Sequence, residues 1–92
     1  MIFNHPTLKA SMSLPDTMTG GDYRKWRKAT TNPAEGDANE FWLRQWVGVV
    51  AVATFDCDFV ITPDGDAVPF AFITWAVQTF STYMAPLLDP KV

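Results

Sequence analysis

The residues most able to do chemistry are four aspartates in a short stretch, Asp56, Asp58, Asp64 and Asp66. Carboxylates at alternating positions suggest calcium, but a helix-loop-helix calcium site also needs an internal glycine at a fixed place and a closing bidentate glutamate. Here Asp58 and Asp64 are six residues apart, Val60 and Ile61 intervene, and no glutamate follows. The aspartates therefore read as turn and helix-start carboxylates, and no metal site is expected. His5 is the only histidine and Cys57 the only cysteine, and neither stands in a patterned relation to the other or to Ser11 and Ser13. A nucleophile with a positioned base is thus not indicated. Gly20 and Gly21 lack both the phosphate-loop and the dinucleotide spacing, so they read as helix-start punctuation. The expectation is no catalytic residue, no cofactor and no enzyme.

The conspicuous side chains are rings. Trp26, Trp42, Trp46 and Trp75 stand beside Phe41, Phe70, Phe72 and Phe80, and few domains of 92 residues can enclose so many. Trp42 and Trp46 are four apart and share a helical face, which serves either core packing or a partner groove. Tyr23, Trp26 and Thr30 fall at i, i+3 and i+7, with Arg24, Lys25, Arg27 and Lys28 around them. That basic cluster is either a solvated face or a steering surface for an acidic partner. The candidate partner-binding residues are Tyr23, Arg24, Trp26, Arg27, Trp42 and Trp46.

The elements that must position these rings follow from periodicity. Leu8, Ala10, Met12 and Leu14 alternate with polar residues, the signature of a half-buried strand within an N-terminal arm spanning 1–15, and Pro15 with Asp16 ends it. Thr19 and Asp22 form a capping-box pattern that opens a first helix, 19–31. Residues 32–39 read as an exposed loop in which Asp37 with Glu40 offers a second cap, and an almost wholly apolar helix follows over 40–55. Phe55, Cys57, Phe59 and Ile61 suggest an extended leg able to pair with the first strand, and Thr62-Pro63-Asp64-Gly65 a turn, within 56–66. Pro69 suits the first turn of a last helix over 68–86, which Pro86 should stop, leaving Leu87 to Val92 as a tail. The expected fold is one mainly α domain of about three helices, with a short N-terminal strand or arm and room for a minimal two-stranded sheet.

Composition narrows the function classes. With 48% hydrophobic and 18% charged residues, the chain lies on the folding side of the disorder boundary. A formal charge of -3 gives a polyanion little counterion release to exploit, so nucleic acid is not an expected partner. Ala67 to Leu88 carries no formal charge and is about as long as a membrane span. Its flanking prolines and its run of Thr, Gln and Ser argue instead for a buried helix of a water-soluble domain. Met1 to Leu8 shows neither a basic n-region nor an apolar h-region, and a single cysteine suits a reducing interior, so the expected location is the cytoplasm.

Taken together, a leading strand running into Leu14, Pro15, Met18 and Thr19, Tyr23 and Trp26 on a first helix, a variable acidic loop, an aromatic helix with Trp42 and Trp46, and Val68-Pro69 opening a helix with Trp75, Tyr83 and Pro86 resemble the small tail assembly chaperones of long-tailed bacteriophages, which are encoded just before the tape measure protein. The resemblance spans most of the chain and no one motif in it is specific. It implies a mostly helical protein of the bacterial host cytoplasm that coats the tape measure or recruits tail tube subunits, is absent from the finished virion, and has no catalytic residues to transfer. Self-association into a homo-oligomer through surplus apolar surface is also expected. A small structural virion or connector subunit, making permanent contacts through the same rings, is the alternative.

Overall fold

The computed structural model describes residues 1–31 and 40–88. The loop expected over 32–39, with Asp37, lies outside the described residues, as does the end of the expected tail beyond Leu88. Chain order is β1 (Ile2–Asn4), β2 (Ala10–Ser13), α1 (Gly20–Thr31), α2 (Phe41–Val52), β3 (Thr54–Cys57) and α3 (Phe70–Leu88).

The three strands form one antiparallel sheet in the order β1-β2-β3. Phe3 stands opposite Met12, and Met12 in turn opposite Phe55, so one inward row crosses all three strands. Met12 and Ala10 are buried, while Ile2, Asn4, Thr54 and Asp56 on the other face are exposed. The helices cover the inward face. Phe55 lies 5.4 Å from Trp46 of α2 and 5.8 Å from Phe72 of α3 between ring centroids. Around these sit Leu14, Val49, Ile73, Ala76, Val77, Phe80 and Met84, all buried.

This is an α+β fold, and it corrects the expectation of a mainly α domain with a minimal sheet. Two physical causes account for the difference. Strand β1 offers three residues with one inward side chain, too few for a period of two to register, yet it closes onto β2 through a tight connection. There the His5 ring nitrogen Nδ1 accepts the amides of Thr7 and Leu8 at 3.1 and 3.0 Å, and the Ala10 amide donates to Leu8 O at 2.8 Å. The second cause is competition at the end of α2, which stops at Val52 rather than Phe55. Ala53 turns extended (φ -88°, ψ 159°), and Thr54 and Phe55 join the sheet opposite Ser13 and Met12. Ladder bonds and the burial of Phe55 against two rings outweigh extending the helix through Ala53, the β-branched Thr54 and Phe55.

Helix starts are set by side chains. The Thr19 hydroxyl accepts the Asp22 amide and the Asp22 carboxylate accepts the Thr19 amide, both at 3.1 Å, closing the capping box of α1. Glu40, in extended conformation, caps α2 by accepting the Leu43 amide at 3.0 Å. Helix α3 runs two residues past Pro86 instead of stopping there. In a last turn the missing proline amide forgoes a single bond, to the Thr82 carbonyl, so the break costs little. Among the described residues no helix is long and apolar enough to cross a membrane.

Candidate functional site

Helices α1 and α2 cross at Gly48. A β-carbon there would come within 2.4 Å of Thr30 Cγ2 and 2.7 Å of Trp26 Cδ1, so only a hydrogen lets the helices approach this closely. Trp26 packs against the crossing, 5.7 Å from the Tyr23 ring and 6.4 Å from that of Phe80. Its indole nitrogen is enclosed and meets no acceptor among the described residues. Thr30 is buried beside it and returns its hydroxyl to the Trp26 and Arg27 carbonyls at 3.0 and 3.2 Å.

Above the crossing opens a cleft of about 400 Å³ lined by Trp26, Arg27, Thr30, Phe41, Arg44 and Gln45. Arg44 reaches across from α2 to donate from Nε to Thr30 O at 2.7 Å, satisfying a carbonyl at the end of α1 and fixing its own guanidinium at the cleft wall. Phe41 stands at the rim, 59% exposed and edge-on to Trp42 at 5.3 Å. Arg27 is exposed on the opposite wall and donates weakly to the Tyr23 hydroxyl at 3.5 Å. Two guanidiniums over aromatic floor and rim can take a side chain that is part apolar and part anionic, or stack on a partner ring.

The six residues proposed from sequence fare differently. Trp26 and Arg27 line the cleft, Tyr23 packs behind them half-buried, and Trp42 meets Phe41 at the rim. Arg24 is exposed on α1 outside the cleft lining. Trp46 is 0% exposed, with Nε1 donating to Thr62 O at 2.8 Å, so it belongs to the core and offers no ring to a partner. The shared helical face of Trp42 and Trp46 misled here, because α2 is covered at Trp46 by the sheet and α3 but reaches the periphery one turn earlier. Arg44 and Phe41 were missed as site residues. Their signal was the lone charge of an otherwise apolar helix and a phenylalanine at its first position.

Comparison of the chain with protein-family models, curated proteins and solved structures returns no match.

A second, polar cleft of about 320 Å³ does bring His5, Ser11, Asp56, Cys57 and Asp58 to one place, a juxtaposition that their sequence spacing hides. Two of these five side chains are held by local hydrogen bonds. His5 Nδ1 is occupied by two backbone amides, and the Cys57 thiol donates to Phe59 O at 3.2 Å. Among the described residues no three His, Cys, Asp or Glu side chains are placed to hold a metal ion. Asp64 accepts the Asp66 amide at 2.9 Å, and this bond foremost holds its carboxyl below the ordinary range.

Proposed function

We propose that this protein binds other proteins during virus assembly, as a tail assembly chaperone-like domain acting in the cytoplasm of a bacterial host on tape measure or tail tube subunits. The observation that supports a binding role is the aromatic cleft at the α1–α2 crossing. It combines an exposed Phe41 and an indole floor with Arg27 and Arg44. Rings and arginines of this kind dominate protein interfaces. The tail-assembly assignment rests on the family resemblance alone.

The test is co-expression with a tape measure protein and a tail tube subunit, followed by isolation at low and high salt. The proposal expects one of them to co-purify and to remain soluble only in the presence of this chain, and Arg27→Glu or Phe41→Ala to weaken the complex. Failure to retain either protein, with no change in its aggregation, would refute the assignment.

A further inference from the structure

The geometry points to a second interaction surface that shares no residue with the aromatic cleft: the open edge of β1, which we infer pairs antiparallel with β1 of a second copy of this chain. The inference stands whether or not the tail-assembly reading holds.

The direction of the unpaired groups comes from the ladder. The Met1 ammonium donates to Leu14 O at 2.9 Å and the Leu14 amide to Met1 O at 2.8 Å, and the His5 amide donates to Ala10 O at 2.9 Å. In an antiparallel pair such inward-bonding residues alternate with outward-bonding ones. With Met1 and His5 bonding inward, the amides and carbonyls of Ile2 and Asn4 point away from β2. Among the described residues no strand covers that side, since β1 is the end of the sheet. Ile2 is 71% exposed and Asn4 is exposed as well.

An edge of this kind invites another strand, and folded proteins usually guard it by shortness, charge, proline or a bulge; β1, at three residues, is guarded by its length alone. The two edges of this sheet differ in that respect. Strand β3 carries Asp56 and runs on to Asp58, so two copies meeting there would oppose carboxylates. Strand β1 reads Ile-Phe-Asn, with no charged side chain and no proline. It is also self-complementary. A two-fold axis through Phe3 sets Ile2 opposite Asn4 of the other copy, and each outward amide then finds an outward carbonyl. The two Phe3 rings become a close cross-strand pair on the inward face. Next to Phe3 lies a mainly apolar groove of about 500 Å³, walled by Met1, Tyr83, Pro86 and Leu87 together with Thr79, Thr82 and an Asp16 carboxylate paired to the Met1 ammonium at 2.7 Å, with Leu87 54% exposed. The two-fold joins the grooves of both copies into one. A second copy fits this edge better than an unrelated extended peptide, because hydrogen-bond register, neutrality and the ring pair are satisfied by the same three residues twice. So short a contact belongs with interfaces below about 1,200 Å² in total, so the dimer is weak and concentration-dependent.

The experiment uses the purified full chain. Sedimentation velocity over a wide concentration range should show a monomer passing reversibly into a dimer, and the Ile2 and Asn4 amides should exchange more slowly as dimer accumulates. Two variants, Ile2→Lys/Asn4→Lys and Ile2→Glu/Asn4→Glu, place like charges opposite each other in their own dimers while leaving the buried face intact. Each should remain monomeric with unchanged near-ultraviolet circular dichroism, and mixing the two should restore a heterodimer. If either variant is misfolded, Ile2→Pro, which removes one outward amide, takes its place and should weaken the dimer. A wild-type chain that stays monomeric at millimolar concentration, or a dimer that survives the charge variants unchanged, overturns the inference. So does a chain whose Ile2 and Asn4 amides exchange equally fast at all concentrations.

Discussion

Trp46 and Trp42 have the same side chain on the same helix and opposite fates. Emptying the Trp46 site removes a ring touching Phe55 and Phe72 and leaves the Thr62 carbonyl without its donor. Trp46→Ala should therefore cost about 3–5 kcal/mol, close to the whole stability of a small domain. Trp42→Ala, at the half-buried periphery, should cost clearly less, and urea denaturation of both variants separates them. Tyr83 is a second informative residue. Its hydroxyl donates to Pro15 O at 2.7 Å and ties α3 to the end of β2 across 68 residues of sequence. Tyr83→Phe should cost about 0.5–1.5 kcal/mol, the usual worth of one such bond. Burial, with smaller help from Asp22 and Asp16, raises the pKa of this phenol above its ordinary value. A group held protonated in this way contributes below its unfolded pKa of about 10 and loses that contribution as pH rises through the folded value. Wild type should lose more stability than Tyr83→Phe above pH 10, as thermal melts will show.

At the scale of elements, the α1–α2 crossing depends on the absence of a side chain. Gly48→Ala drives a methyl into Thr30 and Trp26, and one of the two helices must move. The expected loss is about 1–3 kcal/mol, even though alanine is the better helix former. Chemical denaturation should show it, and a stability equal to or above wild type would mean that α1 does not sit on α2 as described. The α1 cap makes a separate prediction. The Thr19 amide, and after it the Thr19 side chain, holds the Asp22 carboxyl below its ordinary range. A depressed carboxyl contributes above its unfolded pKa of about 3.9 and loses that contribution as pH falls toward the folded value. Asp22→Asn should thus flatten the acid limb of stability below pH 4 relative to wild type, measured by melting temperature against pH. Both the cap and the alternation of β2 were legible in the sequence, because each is a local pattern of neighbouring residues. Strand β1 was not, since three residues carry no period and the partner that makes them a strand lies beyond a turn.

At the scale of the whole molecule, apolar and charged contributions to partner binding should separate with salt. The charge is -3 overall, yet Arg24, Lys25, Arg27 and Lys28 gather on one helix, so under the proposed binding role an acidic partner would be steered toward α1. Association rates with a captured partner should fall as ionic strength rises to about 0.5 M, where the screening length shrinks to a few ångströms, while contact burial at the aromatic cleft keeps dissociation nearly constant. Stopped-flow or surface-binding kinetics across salt concentrations checks this, and a dissociation rate that climbs as steeply as the association rate falls would contradict it. What the sequence determined by itself about this protein is what short-range chemistry dictates: the capped start of α1, the Thr62–Gly65 turn, an apolar central helix, and a ring content too large to pass unnoticed. Only the tertiary structure decided which rings are core and which line a cleft, that α2 yields Phe55 to a sheet, and that Arg44 closes onto Thr30. Those outcomes are competitions between segments far apart in the chain. A residue's type sets what it offers in such a competition, and only the packed neighbours decide whether the offer is taken.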